Sequence, residues 1–371
     1  MKGIKILTIT TSGLEKKEGI STIILDYFSR LNQSTFSLEI VASGYYNDKL
    51  VKEFQDIGVF VRFLPSRKDN LIEYIKNLYC LCKNNKYDIV YLNGSSAIMS
   101  IELVIAILTG CKIRIVHSHN TSCEHRIVDK ILRPIFYFLY TDAFACGNDA
   151  GKWLFGGRDF KVLSNGRDID VYKFDAATRY SLRKRLGLDS TELAIGHVGN
   201  FNKQKNHLFL IEVFKELLKT KNNARLFLIG TGPTMDLIKD KVSRLKIEDK
   251  VVFTGSIDNV PAMMSAMDIM VLPSLHEGLP LVVIEAQIAA LPCIVSDVVT
   301  KECCYTNLVK FESLSSSFSI WVKDILEMTK LNRVENCNII KEQTVNNGFC
   351  IRTNTKGLED YLLRRYNEVN R

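Results

Sequence analysis

Two glutamates eight residues apart are the first feature of this sequence with chemical content. In SLHEGLPLVVIEA, Glu277 falls in a loop after an apolar, strand-like run, and Glu285 falls one to two turns inside the helix that follows, with Gly278 freeing the backbone between them. A carboxylate accepts hydrogen bonds from vicinal sugar hydroxyls, while the backbone N–H groups at a helix N-terminus favour a diphosphate. Gly278 and Leu279 join the two glutamates as candidate ligand contacts. Glu285 stands in the apolar stretch PLVVIEAQIAALPCIV, where a carboxylate without a partner is costly, so a partner or a ligand is expected there. The plainer alternative makes Glu277 a helix cap and Glu285 a solvated helix residue.

A second group of residues supplies positive charge. GHVGNFNKQKNH carries Asn200, Lys203 and Lys205 in a loop that leads into a helix, suited to diphosphate oxygens. A cation there lowers the barrier for a departing nucleoside diphosphate. Lys205, next to Asn206 at the helix start, is the better candidate, since Lys203 also reads as an ordinary surface lysine.

The run His117-Ser118-His119-Asn120 follows the strand KIRIV, and His117 is expected to present its imidazole at the ligand edge of the first sheet. No more than one of the two histidines is expected to line the site, and a purely structural role is the alternative. In TTSGLEKKEGISTI, Gly19 lets the backbone approach a ligand at the start of a helix, but the loop lacks a full G-x-G-x-x-G, which disfavours a dinucleotide site. Gly230-Thr231-Gly232-Pro233 and Gly255-Ser256-Ile257 either offer main-chain groups to a base edge or form tight turns.

Asp168-Ile169-Asp170 has the look of a D-x-D metal grip, yet it lies in a turn away from any strand end, so no metal and no other cofactor is expected. The phosphate loop of NTPases, the G-x-S-x-G elbow and H-E-x-x-H are all absent from the sequence. Aromatic-basic clusters of a nucleic-acid face are missing too.

The elements that must position these residues follow from periodicity. IKILTIT, FSLEIVAS, DIVYLNG and KIRIVHSH alternate with helical patterns, and from residue 193 the alternation repeats through LAIGHVGNF, ARLFLIGTG, VVFTGSI, DIMVLPS and PCIVSD. This is the cadence of two parallel sheets wound with helices, an α/β architecture of two Rossmann-like domains facing each other across a cleft. The turn-rich KVLSNGRDIDVYKFD marks the junction, giving domains 1–165 and 166–349, with the amphipathic segment 350–371 expected to pack back onto the first.

Composition narrows the class. The 371 residues, 46% hydrophobic and 24% charged, suit a globular two-domain protein rather than a disordered one. Ten cysteines, many inside apolar runs, read as reduced residues of a cytoplasmic protein. The longest apolar stretch, from Ala97 to Leu108, is shorter than the roughly 20 residues a spanning helix needs. A net charge of +8 suits an anionic lipid surface, a nucleotide diphosphate or nucleic acid, without choosing among them.

Taken together, Glu277 and Glu285 as E-x7-E, Lys205-Asn206, IRIVHSHNTS, ACGNDAGKWLFG and VLSNGRDID resemble family 4 of the retaining glycosyltransferases, in the branch that builds capsule and exopolysaccharide. The resemblance implies a GT-B fold with an N-terminal acceptor domain and a C-terminal nucleotide-sugar domain. It implies that Glu277 contacts the donor hexose, Glu285 the ribose, Lys205 the diphosphate, Ile257 the base through its backbone, Gly19 the phosphate and His117 the transferred sugar. One departure is Asn200, where the family usually has arginine.

The resemblance further implies a UDP-linked hexose donor, a polyprenyl-diphosphate-linked saccharide acceptor and work on the inner face of the cell membrane. The helix DKILRPIFYFLY, with Lys130 and Arg133, reads either as a buried core helix or as one resting on anionic lipid. A GT-B sugar-nucleotide epimerase and a non-catalytic partner subunit are the competing readings.

Overall fold

The computed structural model describes residues 3–11, 13–14, 19–44 and 46–371, in two compact units, Met1–Gly166 with Cys350–Arg371, and Arg167–Phe349. In the first unit β1 (Ile4–Thr10), β2 (Phe36–Ser43), β3 (Phe60–Leu64), β4 (Ile89–Gly94), β5 (Ile113–Ser118), β6 (Asp142–Ala145) and β7 (Lys161–Val162) form one parallel sheet ordered β3-β2-β1-β4-β5-β6-β7. Between them run α1 (Gly19–Phe28), α2 (Asp48–Asp56), α3 (Leu71–Asn85), α4 (Ser100–Leu108), α5 (Arg126–Leu139) and α6 (Asn148–Phe155).

Strand pleating sorts the side chains of this sheet into two layers. Leu7, Ile9, Val90, Leu92 and Val116 meet Tyr74, Leu78, Leu103, Phe136 and Phe155 from α3 to α6. The opposite face carries Tyr91, His117 and Phe144, and the C-terminal helix (Ile351–Val369) packs on that side, its Tyr361 ring 5.0 Å from Phe144. Arg365 Nε donates to Asp142 Oδ1 at 2.7 Å, and Tyr361 donates to the same oxygen, so the helix is pinned by charge as well as by apolar contact.

In the second unit β8 (Leu193–Val198), β9 (Ala224–Ile229), β10 (Val251–Gly255), β11 (Ile269–Leu272), β12 (Cys293–Ser296) and β13 (Val309–Glu312) pair in parallel in the order β10-β9-β8-β11-β12-β13. Its helices are α7 (Ile169–Tyr172), α8 (Ala176–Arg185), α9 (His207–Leu218), α10 (Met235–Arg244), α11 (Val260–Ala266), α12 (Leu281–Ile288), α13 (Phe318–Met328) and α14 (Arg333–Asn346). Alternate residues again feed opposite layers: Ile195, Leu226, Leu228 and Val271 pack with α9, α10 and α13, while Ala194, Phe227, Met270 and Leu272 pack with α8, α11 and α12.

Arg333, at the start of α14, is buried and donates to five backbone carbonyls, those of Met264, Ser265 and Met267 at the end of α11 and of Ala289 and Ala290 at the end of α12. A cation at two helix C-termini complements both dipoles and satisfies carbonyls that the helices leave open.

Each sheet reverses its winding direction once, between β1 and β4 and between β8 and β11. Ligands of open α/β sheets lie beyond the carboxyl ends of the strands at such a reversal. The loops after β8 and β11 are those that carry Lys205 and Glu277.

Among the described residues no helix is long and apolar enough to cross a membrane. The helix read above as core or lipid-facing, α5, packs one face on the core and exposes another. It buries Asp129 and Phe136 but leaves Ile127 78%, Ile131 68% and Phe138 84% exposed on one face.

Candidate active site

The β8 loop folds so that Lys205 lies back across Gly199. A Cβ on Gly199 would stand 3.0 Å from Lys205 Cε, so the absence of a side chain there makes room for the lysine stem. Asn202 Oδ1 accepts from Lys205 N at 3.1 Å and holds the turn that leads into α9. The loop is braced from the side by the β9 loop, with Gly199 N donating to Ile229 O and Phe201 N donating to Thr231 O, both at 2.9 Å. Of the two turns read as offers to a base edge, the one after β9 thus supports the β8 loop.

The β11 loop meets the β8 loop directly. Lys205 Nζ stands 2.7 Å from Glu277 Oε1, and Ser274 Oγ donates to the same oxygen at 2.7 Å. Gln204 Nε2 donates to Glu277 Oε2 at 3.1 Å and to His276 O at 2.9 Å, while Leu275 N donates to Gln204 O at 2.8 Å. Each oxygen of Glu277 is therefore oriented by the opposite loop, and the ion pair is largely shielded from water. Such an arrangement holds one ammonium and one carboxylate in fixed places at the sheet reversal, fit to meet a ligand that carries both an anion and hydroxyl groups.

Other expected contacts sit around this pair with less definition. Asn200 is half-buried and its carbonyl accepts from Asn202 N at 2.9 Å; Lys203 is exposed, and no ion pair holds it among the described residues. Gly255 O accepts from Gly230 N at 2.9 Å, and Ile257 is half-buried against the α8, α11 and α12 core. Gly278 and Leu279 are half-buried ahead of α12, with Leu279 packed beside Ile284.

Glu285 takes the partner its apolar setting called for. Arg167 Nε donates to Glu285 Oε1 at 2.6 Å, and both residues are buried. Asp168, the first aspartate of the D-x-D, accepts from Asp170 N at 3.0 Å and caps α7. Among the described residues no three His, Cys, Asp or Glu converge on a metal-sized site.

Beneath the site His197 and His207 are buried with ring centroids 4.5 Å apart. His197 Nδ1 faces Val271 O at 2.8 Å, while both His207 nitrogens have no protein partner. Burial pushes His207 down to about 4 and His197 well below the usual imidazole range, with a smaller push on His207 from the Lys205 charge.

In the first unit the expectation for His117 is overturned. Its side chain falls on the sheet face covered by the C-terminal helix, 2% exposed, with Nδ1 3.0 Å from Tyr91 Oη and the ring beside Phe144. Burial holds it neutral, far below the usual range. His119, one residue beyond β5, is the less enclosed of the two: its Nε2 contacts Asn93 Oδ1 at 2.9 Å, and its ring centroid lies 4.0 Å from that of His117, the planes tilted by 35°. The two rings share a side, as residues two apart on an extended chain must. Gly19 is the exposed first residue of α1; Ser12 and residues 15–18 of its loop lie outside the described residues.

Sequence reasoning named neither Arg167 nor Gln204, Ser274 and Asn93. Arg167 and Glu285 are 118 positions apart, a distance no periodicity bridges, although the apolar neighbours of Glu285 signalled that some partner had to exist.

The fold and these loops have known counterparts. A family model described as glycosyl transferases group 1 matches residues 179–303, the stretch that holds both the β8 and β11 loops. The chain is 28% identical to a putative glycosyltransferase, EpsF, of Bacillus subtilis over 356 residues, 92% of each protein. It is 26% identical over 358 residues to the UDP-Gal:alpha-D-GlcNAc-diphosphoundecaprenol alpha-1,3-galactosyltransferase of Escherichia coli, covering 87% of this chain and 91% of that one. The chain is a glycosyltransferase of the GT-B fold. The crystal structure of Anabaena Alr3699/HepE in complex with UDP superposes on this glycosyltransferase with a TM-score of 0.80 over 97% of its length and all of the other chain, at 16% identity. A glycosyltransferase from Rickettsia africae superposes with a TM-score of 0.82 over the whole of both chains, also at 16% identity.

Proposed function

We propose that this glycosyltransferase moves a hexose from a UDP-sugar to a polyprenyl-diphosphate-linked saccharide, with retention at the anomeric carbon, in capsule, exopolysaccharide or O-antigen synthesis. The observation that carries the reading is the Lys205–Glu277 pair at the carboxyl ends of β8 and β11. Lys205 Nζ binds the donor diphosphate and offsets the negative charge that grows on it as the bond from C1 breaks. Glu277 accepts hydrogen bonds from the hexose hydroxyls, and Glu285 accepts from the ribose. Ile257 meets the base through its backbone.

In this reading the acceptor hydroxyl attacks C1 on the face the diphosphate leaves, and its proton passes to a leaving phosphate oxygen, so the enzyme needs no covalent nucleophile. Lys205 supplies cationic assistance that many transferases take from a bound metal, which supports a metal-independent reaction.

The lipid-linked acceptor is supported by the relative that acts on a diphosphoundecaprenol sugar and by the apolar face of α5, flanked by exposed Arg126 and Lys130. A helix of that pattern suits the interface of an anionic bilayer, which supports a peripheral location at the inner face of the membrane.

The test is incubation with UDP-, GDP- and ADP-hexoses, with and without chelator, with vesicles that contain a polyprenyl-diphosphate sugar. Transfer from one UDP-hexose that survives chelation and keeps the donor's anomeric configuration is expected. A rearranged nucleotide sugar formed without acceptor would identify an epimerase instead, and binding without turnover of any donor would identify a partner subunit.

A further inference from the structure

Arg167 is a buried arginine whose position is set by backbone on both sides. A Cβ on Gly166 would stand 2.7 Å from Ile351 N, so that residue has no room for a side chain, and Arg167 N donates to Phe349 O at 2.8 Å. The guanidinium thus projects from a fixed point of the chain and meets α12 at Glu285 Oε1.

The contact engages one carboxylate oxygen. Glu285 Oε2 takes no hydrogen bond among the described residues, and it is absent from the buried orphans that include Glu102 Oε2, so it is open to a ligand. A buried ion pair gives little net stability compared with apolar residues of the same volume. A carboxylate with one oxygen clamped and the other open is, however, a well-directed acceptor.

We infer that Arg167 is a positioning residue for donor recognition: it clamps Glu285 so that Oε2 accepts from a ribose hydroxyl of the nucleotide. The inference rests on the reading of Glu285 as the ribose contact. It assigns to Arg167 no contact with the reacting atoms, so its loss raises the donor KM and leaves kcat at saturating donor unchanged.

The experiment titrates UDP, 2′-deoxy-UDP and 3′-deoxy-UDP against the wild-type protein, Glu285→Gln, Arg167→Met and Arg167→Lys, with a thermal melt of each variant to establish folding. Wild type is expected to favour UDP over at least one deoxy analogue by roughly tenfold, the worth of one charge-assisted hydrogen bond. Glu285→Gln is expected to remove that preference. Arg167→Met is expected to remove most of it. Arg167→Lys is expected to keep part, because an ammonium holds the carboxylate without the planar geometry of a guanidinium. If Arg167→Met does not fold, Arg167→Lys alone is read against wild type.

A full preference retained in the Arg167 variants while Glu285→Gln abolishes it overturns the role of Arg167 and leaves that of Glu285 standing. A preference that survives Glu285→Gln overturns the ribose reading and the inference with it. A fall in kcat with unchanged KM in Arg167→Lys also overturns the inference.

Discussion

Lowering the pH from 7.5 to 5.0 is predicted to destabilise this protein strongly, and both units to a similar extent. Burial holds His117, His119, His197 and His207 all below the ordinary imidazole value of about 6.5. A histidine whose folded pKa is depressed keeps the protein stable above the unfolded pKa, and that stability is lost as the pH falls below it, because only the unfolded chain takes up the proton. For His207 the loss continues until the pH nears about 4.

Integrated from pH 7.5 to 5.0, each such residue removes about 2 kcal/mol. His197 and His207 together remove about 4 kcal/mol from the second unit, and His117 and His119 about 4 kcal/mol from the first, a large share of the 5–15 kcal/mol that holds a typical domain. Calorimetric melts at pH 7.5, 6.5, 5.5 and 5.0 measure the loss. His207→Leu, which removes two unpartnered buried nitrogens, is expected to flatten the pH dependence by about 2 kcal/mol over the same range. A variant whose melting temperature falls with pH as steeply as wild type would show that His207 does not exclude the proton in the folded state.

Two further outcomes are expected. Phe138→Glu puts a charge on the exposed face of α5; vesicles of anionic lipid should retain less of the variant than of wild type, while its melting temperature is unchanged because the site is at the surface. Arg333→Met strands the five carbonyls that the guanidinium serves, which should cost roughly 3 kcal/mol and lower the melting temperature by several degrees; a melt equal to that of wild type would mean the carbonyls find other donors.

Much of the fold was legible because parallel strands buried on both faces read as short apolar runs, and IKILTIT, ARLFLI and DIMVL do so plainly. The edge strand FVRFL was harder to see, since Phe60 and Phe63 are exposed and its alternation follows neither template. At the site, Lys205 and Glu277 could be named because each ends a strand-to-helix loop, and the structure brings them to 2.7 Å. Their helpers Gln204 and Ser274 carry no charge and looked like ordinary loop residues. His117 was misplaced because strand position alone does not reveal which face a later element covers. Here the covering element is the C-terminal helix, more than 200 residues away in sequence. The same long-range closure hid Arg167 from view, whereas the cost of burying Glu285 was visible in its neighbours.

Titration of UDP into wild type and Lys205→Met asks whether the nucleotide-sugar donor is held where Lys205 meets Glu277. Micromolar-class binding to wild type, weakened roughly tenfold to a hundredfold in the variant by the loss of one charged contact to a diphosphate, is expected. Equal affinity of the two proteins for UDP would show that the donor is held elsewhere.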